Sequence, residues 1–257
     1  MSAGPLTGPL TGRVALVAGG TGAIGRHVAT GLAAAGAAVA VHCHRSAGTA
    51  AEIVRECGGG LAVCAALPGP RSADRLLSTV EAELGPVTIL VNAAEPAGAV
   101  GVAAVADVEP GTLERHLDGV RAHHELCRRA LPGMRAAGFG RIVFVSGALM
   151  ARPMPGMGAY AAAKAAASVL TRYVAAEEGR HGITANVVAP GRVAEPGAEE
   201  PDDPALRELS EALRRRMALP RFPAPREVAR TVVALVSPEF DQVTGQTVWL
   251  TGGEFTG

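Results

Sequence analysis

Apolar residues recur along the chain in two forms. Short β-branched runs at Arg13–Gly19, Ala38–Cys43, Leu61–Ala65, Val87–Asn92, Arg141–Ser146, Thr184–Ala189 and Thr247–Thr251 are almost continuously hydrophobic. Between them lie Ala-rich segments of helical length near 24–36, 47–57, 71–84, 111–137, 157–180 and 226–236. A strand that is apolar throughout, rather than at every second position, is what a sheet covered by helices on both faces requires. The alternation predicts an α/β fold: one doubly wound domain over 13–257, with seven parallel strands and helices on both faces. In such a sheet ligands bind beyond the carboxyl ends of the strands. Two segments stand outside the pattern. Residues 1–12, with a doubled Pro-Leu-Thr-Gly, read as a short flexible tail, and Arg192–Pro225, with six prolines, reads as a helical flap or loop over a substrate.

Composition narrows the function. The 257 residues are 48% hydrophobic, and 24 Lys and Arg balance 24 Asp and Glu. No basic excess is available for a nucleic acid or an anionic membrane, so neither is expected as a partner. No run reaches the roughly 18 apolar residues of a membrane span, and the opening residues lack the charged and apolar regions of a signal peptide. Cys43, Cys57, Cys64 and Cys127 have no metal-ligand spacing and are expected to be reduced thiols of a cytoplasmic protein. Lys164 is the only lysine among those 24 basic residues. In a chain that otherwise uses arginine, its position is a candidate for chemistry.

The first strand ends in Val17-Ala18-Gly19-Gly20-Thr21-Gly22-Ala23-Ile24-Gly25-Arg26 and runs into a helix. Glycines at 19, 22 and 25 suit a tight turn, a close approach to pyrophosphate and a helix packed on the sheet, the features of a Rossmann-like dinucleotide site. After the second strand comes His42-Cys43-His44-Arg45-Ser46, which contains no acid for a ribose hydroxyl. His44, Arg45 and Ser46 can donate to a 2′-phosphate, so the expected cofactor is NADP(H). At Gly158-Ala159-Tyr160-Ala161-Ala162-Ala163-Lys164 the phenol and the ammonium are four residues apart and share one helix face. A nearby cation is expected to lower a tyrosine pKa from near 10 by about 1–3, toward the range of general acid–base work.

From Arg13 to Gly253 the sequence resembles the short-chain dehydrogenase/reductase family. The likeness rests on the glycine turn, Leu90-Val91-Asn92-Ala93-Ala94, the Tyr160/Lys164 pair, Asn186-Val187-Val188-Ala189-Pro190-Gly191, Pro225-Arg226-Glu227-Val228-Ala229 and Val243-Thr244-Gly245-Gln246. The His-Arg-Ser turn is similar to that of pteridine-reductase-like members. The resemblance implies that Tyr160 passes a proton to a carbonyl or from an alcohol, and that Lys164 holds the nicotinamide ribose and depresses the tyrosine pKa. Cofactor contacts would come from Gly19, Thr21, Gly22, Ile24, Gly25, His44, Arg45, Ser46, Leu67, Asn92, Ala93, Ala94, Tyr160, Lys164, Pro190, Gly191 and Val193. It also implies a homo-oligomer, a tetramer or dimer, acting on a small molecule.

The chain departs from that pattern at several positions. Gly147 stands where the family has its catalytic serine, and Gly119 where it has the asparagine of a proton relay. Glu95 follows Asn92-Ala93-Ala94 where the family leaves room, and Ala18, Ala66, Glu195 and Thr251 replace other family residues. Losing one hydrogen-bond donor to a developing oxyanion costs about 2.7–4 kcal/mol. Ser146, a backbone N–H or a substrate hydroxyl is expected to replace the missing serine, and Gly147→Ser is expected to leave turnover unchanged or raise it. The resulting reading is an NADP(H)-dependent ketoreductase. The alternatives are redox-neutral dehydration, isomerisation or cyclisation by the same pair, and a non-catalytic subunit. His116, His123 and His124 are assigned to helix packing, the acidic run Glu199, Glu200, Asp202 and Asp203 to a solvated loop, and Trp249 to the core or a subunit contact.

Overall fold

The computed structural model describes residues 8–69, 71–96, 102–195, 197 and 202–254. Seven strands form one sheet: β1 (Val14–Ala18), β2 (Ala38–Cys43), β3 (Leu61–Cys64), β4 (Val87–Asn92), β5 (Gly140–Val145), β6 (Ile183–Pro190) and β7 (Thr247–Leu250). Their order is β3-β2-β1-β4-β5-β6-β7, with every pair parallel. The helices are α1 (Ala23–Ala34), α2 (Ala47–Glu56), α3 (Ser72–Leu84), α4 (Pro110–Ala137), α5 (Gly158–Glu178), α6 (Pro204–Arg215) and α7 (Pro225–Val236). Each expected strand and helix is present, with ends within two residues of those read from the pattern.

Adjacent strand residues enter opposite cores, which is why the strands read as unbroken apolar runs. Val17, Val41, Val91 and Val143 pack with Val28, Leu32 and Ile53 of α1 and α2 and with Val228 and Val232 of α7. Leu16, Ala40, Leu90 and Ile142 pack with Leu76 and Leu77 of α3 and Leu126 and Met134 of α4. The side chain of Asn186 replaces part of a ladder at the far edge. Its Nδ2 donates to the Val243 carbonyl at 2.7 Å and its Oδ1 accepts from the Gln246 N–H at 3.0 Å, which seats the approach to β7. Chain order reverses on either side of β1, so a crevice opens beyond the carboxyl ends of β1 and β4, where Ala18 pairs with Asn92.

Three expectations need correction. Residues 8–12, read as part of a flexible tail, are held to the fold: Leu10 is fully buried and its N–H donates to the Ala35 carbonyl at 2.9 Å. Residues 1–7 lie outside the described residues. The four cysteines are not all thiols, because the β2–β3 register sets Cys43 opposite Cys64 with 4.6 Å between Cα atoms, and the two form a disulfide. Cys57 and Cys127 are free and buried. The expectation of a reducing cytoplasm therefore loses the support of the cysteines. In the acidic run, Asp203 is not simply solvated. It caps α6, accepting from the Ala205 N–H at 2.9 Å, while Glu199 and Glu200 fall outside the described residues. Trp249, expected in the core or at a subunit contact, is 38% exposed on the edge strand β7, which leaves the second of those places. Among the described residues no helix is long and apolar enough to cross a membrane.

Candidate active site

The glycine turn forms the floor of the crevice. Gly19 has φ 74°, and a Cβ there would lie 2.6 Å from the backbone of Ala94, so only glycine lets the two loops approach. His42 ties the turn to β3. Its Nδ1 accepts from the Gly19 N–H at 3.3 Å and its Nε2–H donates to the Ala65 carbonyl at 3.0 Å. Burial lowers the His42 pKa, which keeps the neutral tautomer that these two bonds need. A groove of about 500 Å³ runs over Gly19, Thr21, Gly22, His44, Leu67, Asn92, Ala93 and Ala94. A second of about 450 Å³ continues over Gly22, Ile24, Gly25, Tyr160, Lys164, Pro190, Gly191 and Val193. Arg45 and Ser46 are exposed beside His44 rather than in the lining, and Arg45 makes no ion pair among the described residues. The first turn of α1 carries no acid, so its free N–H groups face the groove without a competing charge.

Helix α5 brings Tyr160 and Lys164 to one cleft, as their spacing requires. Lys164 is buried; its Nζ donates to the Val145 carbonyl at 3.2 Å and pairs with Glu95 Oε2 at 2.8 Å. The same ammonium lies 5.2 Å from the centre of the Phe144 ring and 5.5 Å from that of Tyr160. The expected depression of the tyrosine pKa is not what the site produces. Burial pushes the Tyr160 phenol well above its ordinary value, and the Glu95 carboxylate pushes in the same direction. Burial is the larger cause, and the Glu95 carboxylate, paired with Lys164, adds to it.

The two missing family residues leave spaces that other groups fill. A Cβ on Gly147 would lie 2.7 Å from the Tyr160 hydroxyl, so the phenol occupies the room that a serine needs. Ser146 also borders the cleft, but its hydroxyl is drawn toward α5, where it accepts from Ser168 Oγ at 3.0 Å and lies 3.3 Å from Met150 Sδ. In that arrangement the Ser146 hydroxyl donates to Met150 Sδ, so the expected oxyanion contact would need its O–H to turn into the cleft. A Cβ on Gly119 would meet Pro96 at 3.0 Å. A small open pocket of about 20 Å³ is bordered by Glu95, His116, Gly119, Tyr160 and Lys164. His116, assigned from sequence to helix packing, instead sets its ring edge-on to Tyr160 at 5.9 Å.

Sequence reasoning also missed His123. It is fully buried, and a directed chain of hydrogen bonds runs through it. Asn92 Nδ2 donates to His123 Nδ1 at 3.2 Å, His123 Nε2–H donates to Thr171 Oγ1 at 2.9 Å, and Thr171 donates to the Ala167 carbonyl at 2.9 Å. Asn92 Oδ1 in turn accepts from the Ala94 N–H at 3.1 Å, so the loop bordering the groove is anchored through α4 to α5. Burial, with Lys164 and His124 adding to it, lowers the His123 pKa to about 3 and keeps the ring neutral. An adjacent His-His pair contains no signal for this, because only the packing of α4 on Phe144 decides which ring turns inward. In the flap, Arg192 and Arg214 both lie over the Phe222 ring, at 5.1 and 4.9 Å. Glu195 stands 3.8 Å from His27 on α1.

Comparison with known proteins agrees with this architecture. Residues 18–254 match the family model described as Enoyl-(Acyl carrier protein) reductase. The chain is 35% identical to the short-chain reductase protein NovJ of Streptomyces niveus, over 93% of each chain. It is 33% identical to an acetoacetyl-CoA reductase of Rhizobium meliloti, over 95% of this chain and 98% of that one. A solved short-chain dehydrogenase/reductase from Serratia marcescens superposes with a TM-score of 0.86 at 29% identity, covering 97% of this chain and 100% of the other.

Proposed function

The chain belongs to the short-chain dehydrogenase/reductase family, and we propose that within it the protein is an NADP(H)-dependent ketoreductase that acts on a small-molecule carbonyl. The observation that carries this reading is one continuous crevice in which the glycine turn, Tyr160 and Lys164 meet beyond the strand ends. The residues fit a dinucleotide. The grooves have the volume of a ligand site, the Gly19–Gly25 turn brings backbone close without side chains, and the N-terminus of α1 has free donors for pyrophosphate. The unpaired Arg45 beside His44 and Ser46, with no acid after β2, favours the 2′-phosphorylated form.

When bound, the reduced dinucleotide supplies the hydride for the carbonyl carbon. The Tyr160 hydroxyl donates the proton that the carbonyl oxygen acquires, and its raised pKa keeps that proton in place at neutral pH. An ammonium has three N–H donors. Glu95 and the Val145 carbonyl engage two of those on Lys164, which leaves one for a hydroxyl of the nucleotide or substrate. The Asn92–His123–Thr171 chain holds the loop that frames the site. Exposed Val169 and Tyr173 on α5 and Trp249 on β7 fit a homo-oligomer.

The test is to incubate the protein with NADPH and a panel of activated ketones and 3-oxoacyl thioesters, following nicotinamide absorbance. Substrate-dependent oxidation is expected in the native protein and none in Tyr160→Phe, which still binds NADPH. Binding without turnover across the panel removes the ketoreductase reading. It favours redox-neutral proton chemistry, for which the Glu95 carboxylate beside Lys164 provides a second acid–base group.

A further inference from the structure

Among the described residues Glu95 is the one carboxylate that borders both grooves and the small pocket beside Tyr160. Its Oε2 is 2.8 Å from Lys164 Nζ, the only lysine of the chain, and that ammonium is buried against Phe144 and Tyr160. Glu95 is half-exposed, whereas the ammonium it meets is largely removed from water. We propose that Glu95 is a positioning residue that neutralises the Lys164 ammonium beside Tyr160 and so keeps the proton on the phenol, setting the pH range in which the acid–base pair works. The inference rests on the ketoreductase reading for its chemical step.

In that step the Tyr160 O–H bond breaks as the proton passes to the carbonyl oxygen, while the hydride from the reduced dinucleotide forms the new C–H bond. The phenolate left behind is reprotonated from solvent. The opposite direction needs a phenolate at the start, and the phenol is held protonated by burial and by Glu95. The other charged and titratable groups around the phenol are few. His116 presents its ring from α4. Arg115 and Asp118 of the same helix border the groove near Glu95. His123 packs on Phe144, as Lys164 does, and is neutral in the fold. Glu195, from the flap, borders the groove that holds Tyr160 and Lys164. Among the described residues none of these is within ion-pair distance of Lys164, and Glu95 is its ion-pair partner.

The experiment compares the native protein with Glu95→Gln, which keeps the shape and removes the charge. The chain has two tyrosines, so subtracting the near-ultraviolet titration of Tyr160→Phe from that of the native protein isolates Tyr160. The same subtraction is made in the Glu95→Gln background, over the range in which circular dichroism reports a native fold. Phenolate absorbance from Tyr160 is expected about 1–2 pH units lower in Glu95→Gln, because a carboxylate is lost and a cation is released together. The pH profile of NADP-dependent alcohol oxidation should move down with it, and at any one pH the kcat/KM for carbonyl reduction should change by the same factor, since the equilibrium constant fixes their ratio. An unchanged Tyr160 titration overturns the proposal even when turnover is normal, and Glu95→Ala repeats that reading without the amide. A lowered titration in a protein that oxidises no NADPH overturns the ketoreductase reading instead and leaves the charge coupling standing.

Discussion

Placing a serine at Gly147 returns to this chain the side chain that its family uses, yet the structure predicts that activity falls. The new Cβ would be 2.7 Å from the Tyr160 hydroxyl and 3.4 Å from two ring carbons. The first contact is about 0.7 Å short of ordinary packing. The phenol is partly buried and edge-packed by His116, so relief of the contact means swinging toward the groove, which moves the reacting oxygen. A displacement approaching 1 Å at a reacting group costs on the order of 100-fold in rate, or roughly 2.7 kcal/mol of barrier. Against this stands the 2.7–4 kcal/mol or so that an oxyanion donor is worth. That gain needs the serine and the phenol to reach one substrate oxygen together, and the clash separates them. We therefore expect kcat for ketone reduction to drop about 30–100-fold in Gly147→Ser. NADPH affinity should stay within about two-fold, since the strain falls on Tyr160 and not on the glycine turn. Gly147→Ala carries the same Cβ without the hydroxyl and should lose as much. Steady-state kinetics with NADPH titration on both variants decides the matter. A Gly147→Ser protein as fast as the native one, with Gly147→Ala slow, would show that the hydroxyl compensates, and both variants at native speed would refute the steric argument.

Other expectations follow from groups away from that contact. Arg45→Asp should weaken NADPH by about 10–100-fold, the worth of a charge-assisted hydrogen bond, and NADH by much less; equal losses in a fluorescence titration remove the 2′-phosphate assignment. His123 has a folded pKa near 3, below its unfolded value of 6.5. The unfolded chain therefore binds the extra proton between those values. Stability from this residue is full above about pH 6.5 and is lost as pH falls toward 3, by up to about 1.4 kcal/mol per pH unit. Urea denaturation of the native protein at pH 7 and pH 5 should show that loss, and the difference should shrink in His123→Phe. In denaturant without reductant, thiol titration should find the two free cysteines, Cys57 and Cys127. Four reactive thiols would exclude the Cys43–Cys64 bond.

Much of the fold was legible because it depends on patterns local to the chain. Buried parallel strands must be apolar on both faces, and helices between them must alternate in register with the sheet. Runs such as Val87–Asn92 therefore announce themselves without any knowledge of neighbours. The glycine turn and the four-residue spacing of Tyr160 and Lys164 were legible for the same reason, since each is a property of one turn of backbone. The cysteine expectation failed because residues 21 apart in sequence meet only through strand register. His116 and His123 were misread because a helix sequence does not say which of its faces meets which neighbour.

The sequence by itself determined the doubly wound sheet, the dinucleotide turn and the shared face of phenol and ammonium, all consequences of backbone geometry over a few residues. The tertiary structure alone decided the charge state of that pair. The field at Tyr160 is the sum of burial and of Glu95, whose position 65 residues before Tyr160 in the sequence carries no information about their separation in space.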